Sequence, residues 1–197
     1  WWDNDTHKIS LAFHKRGSHV KTPIFQSSIE RPEIFAEATR VIDQLNRNGG
    51  EARRYQSLLV RANQTGQVES ALFEKHQPHP KMNILHDQIL GKDYSYSPNG
   101  FFQINLPVYE LALKDIARFI ETEQVVDMYA GVGTIGLSVA SDRRLTLVET
   151  NASAFSEMEN NLPEDSNHIK AIQAKSEDAL EYINHDATII VDPPRAG

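Results

Sequence analysis

The sequence predicts an α/β protein whose C-terminal part is a parallel sheet with helices on both faces, preceded by a smaller α+β domain. Three observations lead there. From residue 107 onward, short apolar strands alternate with amphipathic helices across short links, the rhythm of βαβ units. A glycine-rich stretch, Gly131-Val132-Gly133-Thr134-Ile135-Gly136, sits between one such strand and its helix. The charge is also divided. Residues 1–91 hold 12 Lys and Arg against 10 Asp and Glu, a net of +2, whereas residues 92–197 hold 8 against 17, a net of −9. Such asymmetry points to two modules, 1–92 and 93–197.

Within the first module, alternating Ile9, Leu11 and Phe13 predict a half-buried strand, and Arg16-Gly17-Ser18 a turn. A helix follows Pro32, with Ile34, Phe35, Ala38, Val41, Ile42 and Leu45 on one face, and Asn48-Gly49-Gly50 stops it. Strands over 55–62 and 67–73 form a hairpin across Asn63-Gln64-Thr65-Gly66, and 81–85 reads as a further strand. Gly91 and Ser95-Tyr96-Ser97-Pro98-Asn99-Gly100 mark a boundary or an ordered loop. Pro107 then opens a helix with Val108, Leu111, Ala112, Ile116, Phe119 and Ile120 along one side. Strands over 125–129, 145–149, 169–173 and 187–191 alternate with helices over 134–140, 152–161 and 177–183. No repeat or low-complexity segment interrupts them.

Composition sets outer limits. With 40% hydrophobic and 24% charged residues, a folded soluble chain is expected. No apolar run reaches the roughly 18 residues a membrane span needs, so no membrane partner is expected. No secretory signal is visible. The chain has no cysteine, which excludes disulfides, thiolate metal sites and a cysteine nucleophile within it, and fits a reducing cytoplasm. It opens with Trp1 and ends at Gly197, shortly after Pro193-Pro194-Arg195, the marks of a fragment. Between His7 and Lys21 lie Lys8, Lys15, Arg16, His14 and His19 without an acidic residue. That composition suits a phosphate backbone and equally a solvated hairpin.

Chemistry concentrates in the second module. Gly131, Gly133 and Gly136 fit G-x-G-x-x-G, which lets backbone turn tightly and approach a ligand. Glu149 ends the next strand, 16 residues after Gly133, where a carboxylate accepts hydrogen bonds from adenosine ribose hydroxyls. Both a dinucleotide and S-adenosylmethionine use that arrangement. Asp127, on the strand before the loop, gives a pyrophosphate no advantage but favours a ligand carrying a sulfonium and an ammonium. A second apolar strand ends in Asp192-Pro193-Pro194, whose prolines stop the strand and stiffen the loop, so that Asp192 projects at the sheet's carboxyl edge. Before the Pro107 helix, Phe101-Phe102-Gln103-Ile104-Asn105 offers a bifunctional amide and aromatic faces for a base, or core phenylalanines.

Three ordered stretches, Phe101-Phe102-Gln103-Ile104-Asn105, Val126-Asp127-Met128-Tyr129-Ala130-Gly131-Val132-Gly133-Thr134 and Val191-Asp192-Pro193-Pro194-Arg195-Ala196-Gly197, resemble motifs of the RNA uracil-5-methyltransferases. His14-Lys15-Arg16-Gly17-Ser18-His19 resembles the start of that family's central domain, so the likeness spans roughly 7–197. The resemblance implies a Rossmann-like S-adenosylmethionine-dependent methyltransferase domain that methylates carbon 5 of a uridine in tRNA or rRNA. It implies cofactor contacts at Gln103, Tyr129, Gly131, Gly133, Thr134, Glu149, Ser176 and Asp192. It places Phe101 near the target base, with Lys15 and Arg16 toward the RNA. In the family a thiolate adds at carbon 6 and a carboxylate removes the carbon-5 proton. Both groups come from a segment after the Asp-Pro-Pro-Arg motif, so no catalytic residue is expected in this chain. The cysteine set that holds an iron–sulfur cluster in many relatives is missing, its last member falling near Ser27, and no cluster is expected. Alternatives are a catalytically incomplete binding module, a methyltransferase acting on a nitrogen nucleophile, and a nicotinamide oxidoreductase, the last disfavoured by Asp127.

Overall fold

The structure, a computed structural model, describes residues 1–183 and 186–193. It divides into two compact units, Trp1–Leu85 and His86–Gly197. In the first, β1 (Trp2–Asp3) pairs antiparallel with β2 (Lys8–Ile9), and β3 (Ala12–His14) with β4 (Lys21–Pro23). The alternation over Ile9, Leu11 and Phe13 is therefore split between two short hairpins rather than carried by one strand. Helix α1 (Pro32–Arg47) starts at a proline, and its expected inner face is only half covered, with no fully buried residue. β5 (Tyr55–Ala62) and β6 (Val68–Glu74) form the expected hairpin. Residues 81–84 are not a strand. Pro78 and Pro80 precede them, and the Asn83 backbone and side chain both donate to Glu69 instead of to a ladder.

The compact units meet at Leu85/His86, at the start of the hairpin that contains the expected 92/93 boundary. β7 (Leu85–Ile89) and β8 (Lys92–Tyr96) join through Leu90 and Gly91, both at positive φ. Asp87 faces inward and takes the Tyr96 hydroxyl at 2.7 Å. A buried carboxylate on the inner face hid the strand period from sequence reading. The stretch after β8 is an ordered loop. Asn161 receives the backbone N–H and hydroxyl of Ser95, and Glu157 receives those of Ser97.

Helix α2 (Leu106–Ala117) is capped by Asn105. Its buried face is Leu106 and Leu113, flanked by half-buried Tyr109 and Ile116, whereas Val108 and Leu111 of the expected face are exposed. The sheet that follows contains β9 (Gln124–Met128), β10 (Arg144–Glu149), β11 (Ile169–Gln173) and β12 (Ala187–Val191), all parallel, in the order β11-β10-β9-β12. Helices α3 (Thr134–Val139) and α4 (Ala152–Asn160) make the first two crossovers, and a 3₁₀ turn over Ser176–Tyr182 lies on the third. Both faces are covered. Ala179 of the 3₁₀ turn packs with Val126, Met128 and Val148, while α3 lies against Asp127 and Leu147, the residues of opposite parity. This is a Rossmann-like α/β arrangement. The chain steps from β9 to β11 in one direction and returns to the other side of β9, so strand order reverses between β9 and β12. Among the described residues no helix is long and apolar enough to cross a membrane.

Candidate functional site

Register brings the two acidic strand ends together. Val148 of β10 and Val191 of β12 both pair with Met128 of β9. One residue further on, Glu149 and Asp192 therefore flank Tyr129 at the carboxyl edge, beside the reversal of strand order. Ligands bind at such a point in open α/β sheets. Pro193 follows Asp192 as expected; residues 194–197, which complete that motif, lie outside the described residues.

The loop out of β9 is held in unusual backbone. Tyr129, Gly131 and Gly133 have φ of 61°, 58° and 87°. Its glycines do different work. A β-carbon on Gly136 would lie 2.6 Å from Leu147 Cδ2 and 3.0 Å from Asp127 Oδ2, so this glycine lets α3 approach the sheet. A β-carbon on Gly133 would meet Leu137 Cδ1 at 2.9 Å. At Gly131 it would meet nothing within 4 Å among the described residues, so the loop leaves open space there.

Glu149 is buried and ties this loop to its surroundings. Its Oε2 accepts from the Gly131 N–H at 2.8 Å and its Oε1 from the Asn151 N–H at 2.7 Å. Asn151 in turn caps α4 by accepting from the Ser153 and Ala154 N–H groups. A carboxylate offers about four acceptor positions, so each Glu149 oxygen retains one for a ligand.

Asp127 does not act as its sequence position suggests. It is fully buried, its Oδ2 accepts from the Gly136 N–H at 2.8 Å, and its Oδ1 has no partner among the described residues. Burial pushes its pKa up to about 7; the Gly136 hydrogen bond opposes the rise, and the Asp192 and Glu149 charges add to it. At neutral pH it is thus a partial anion that clamps α3 to β9. The negative character of the edge rests on Glu149 and Asp192.

The remaining sequence candidates are placed unevenly. The Thr134 hydroxyl is 2.9 Å from that of Tyr109, whose pKa burial raises to about 12. The Tyr129 hydroxyl reaches Glu177 Oε1 at 3.5 Å, across the turn that Ser176 opens. Gln103 is half-buried and makes no hydrogen bond among the described residues. Of the two phenylalanines, Phe102 is core, stacked on Tyr96 at 3.8 Å, whereas Phe101 is 79% exposed. Lys15 and Arg16 are exposed in the β3–β4 turn of the first unit. An apolar groove of about 440 Å³ runs between α2 and β12, with Tyr109, Ile116, Ile190 and Asp192 in its walls. Tyr109, Asn151 and Glu177 were missed by sequence reading. Only Tyr109 left a signal, a polar aromatic three and four residues from Leu106 and Leu113 on one helix face. Among the described residues, no cluster of His, Asp and Glu is placed to hold a metal ion.

Comparisons with known proteins bear on this geometry. A family model described as "Conserved hypothetical protein 95" matches residues 108–196. The chain is 36% identical over 114 residues to the tRNA (uracil(54)-C(5))-methyltransferase of Pyrococcus furiosus, covering 58% of this chain and 28% of that protein. It is 35% identical over 115 residues to the 23S rRNA (uracil(747)-C(5))-methyltransferase of Pyrococcus horikoshii, covering 58% and 27%. The crystal structure of Pyrococcus abyssi tRNA (uracil-54, C5)-methyltransferase in complex with S-adenosyl-L-homocysteine superposes with a TM-score of 0.66 at 20% identity, over 89% of this chain and 53% of that one. The likeness shows the methyltransferase fold, and the relatives are those that the three motifs resemble. The chain spans between about a quarter and a half of the length of these proteins.

Proposed function

We propose that this chain is the cofactor-binding part of an S-adenosylmethionine-dependent RNA uracil-5-methyltransferase, with tRNA or rRNA as the partner. The observation that supports it most is the pairing of Glu149 and Asp192 on either side of Tyr129, over a loop left open at Gly131. A nucleoside carrying a positively charged sulfonium fits that donor set. Glu149 has acceptor positions left for ribose hydroxyls, and two carboxylates at one edge favour a cation. Gly131 admits close backbone approach, and Gly133, Gln103, Tyr129, Thr134 and Ser176 complete the contact set that the motifs imply. Thr134 contributes through a hydroxyl that Tyr109 already orients.

When bound, S-adenosylmethionine supplies an electrophilic methyl group. The residues of this chain bind and orient. Glu149 fixes the ribose and, through the Gly131 N–H, the loop beneath it. Phe101 presents an open aromatic face to an unstacked uracil. Lys15 and Arg16 meet RNA phosphates. A thiolate at uracil carbon 6 is outside what these 197 residues supply, since none is a cysteine.

Isothermal titration tests the reading. S-adenosylmethionine is expected to bind and NAD not; tight NAD binding would reverse the assignment. Glu149→Ala is expected to lose roughly 1.5–3 kcal/mol of cofactor affinity, the value of charge-assisted hydrogen bonds. Unchanged affinity in a variant that still melts cooperatively would remove Glu149 from the site.

A further inference from the structure

We propose that the β3–β4 hairpin is a two-sided ribbon for single-stranded RNA, stacking an unpaired base on Phe13 on one side and holding phosphates on the other. This rests on the reading of RNA as the partner and adds a base-stacking site to it. Cross-strand pairing divides the side chains. Phe13 lies opposite Thr22, and the Lys15 N–H donates to the Val20 carbonyl at 2.8 Å, so Phe13, Val20 and the Lys15 stem share one face. His14 lies opposite Lys21 on the other face, and Arg16 and His19 stand in the turn between.

The first face is apolar and open. Phe13 is 43% exposed and Val20 61%. A two-stranded ribbon gains nothing by leaving an aromatic ring in water, whereas a nucleobase stacked there would cover it. The second face and the turn carry Lys21 and Arg16, with His14 and His19 beside them. All four are exposed, and among the described residues none makes a side-chain hydrogen bond or ion pair. The opposing charge is also missing along the chain, which has no acidic residue between Asp5 and Glu30. Apolar ring on one side and free cations on the other match the two chemistries of a strand whose bases are unstacked. A paired A-form helix offers phosphates but hides its base faces, so it would use only the second side.

The test is fluorescence anisotropy on the whole chain, with a labelled uridine-rich 12-nucleotide strand and the same strand annealed to its complement. Phe13→Ala is expected to weaken single-strand binding about five- to 150-fold, the range for losing one stacked base. It should leave the salt slope and duplex binding as they were, and Phe13→Trp should restore the single-strand affinity. Arg16→Ala with Lys21→Ala is expected to flatten the salt slope for both probes. Equal loss on strand and duplex, or no loss with Phe13→Ala, would overturn the stacking site while leaving the RNA partner standing. If the parent chain bound neither probe, the RNA reading itself would fall, whatever S-adenosylmethionine titration showed.

Discussion

Two carboxylates, one in each unit, are perturbed in opposite directions, and the contrast separates the two halves physically. Glu37 of α1 is held down to about 2, chiefly by its hydrogen bonds with Arg40; burial opposes this, and the Ser70 hydroxyl and the Arg40 charge add to the lowering. Asp127 of β9 is pushed up to about 7, chiefly by burial. The first unit keeps its charges in water and pairs them there, as in Arg31–Glu33, Arg40–Glu37 and Arg54–Glu74. The second unit seals a titratable group beneath a glycine loop.

The signs follow from linkage. Asp127 binds its proton more tightly folded than unfolded, so its contribution to stability falls as pH rises from about 4 to about 7 and is constant above. Glu37 is the reverse: its contribution is present above 4.5 and is lost as pH falls toward 2. The sharpest way to break the contrast is Asp127→Asn, which keeps an acceptor for the Gly136 N–H. It is expected to stabilise the sheet at pH 8 by up to about 4 kcal/mol, with the gain vanishing near pH 4. Amide exchange over β9 and β10 across that pH range measures it, and a pH-independent difference would refute it.

A smaller effect is expected from Gly136→Ala. The added methyl must displace Leu147 or Asp127, at a cost of about 1–3 kcal/mol. Denaturant melts followed by exchange of the same strands would report it, and a neutral outcome would mean α3 can slide. The smallest effect belongs to the first unit. Arg40→Ala is expected to let the Glu37 carboxyl climb back toward 4.5 in an NMR titration, yet to cost under about 1 kcal/mol, since Arg40 is largely solvated. A loss of several kcal/mol would show that α1 depends on its ion pairs as the sheet depends on burial.

What could be read beforehand divides along similar lines. β9 and β10 fall within one residue of the expected 125–129 and 145–149, because strands buried on both faces leave a dense apolar signal. That Glu149 closes β10, Asp192 follows β12, and Gly131 and Gly133 lie in the loop after β9 was legible, because strand ends and glycines are local features. The β7–β8 hairpin was not, since Asp87 breaks its period and finds its partner only across the turn, at Tyr96. The inner face of α2 was misjudged because Tyr109 counts as polar until Thr134 stands opposite it. The engagement of Glu149 with Gly131 and Asn151 joins groups up to 18 positions apart, which no window of sequence displays.

Among the described residues β12 has a neighbouring strand on one side only. It carries Ala187, Thr188, Ile189, Ile190 and Val191, with neither a charge nor a proline, and Ile189 and Val191 reach water. Among the described residues neither a partner strand nor a charge guards that outer ladder against a stray strand from another molecule. Concentrated solutions of this polypeptide are therefore expected to grow turbid with time, and a lysine written in at Val191 is the economical cure for the bench.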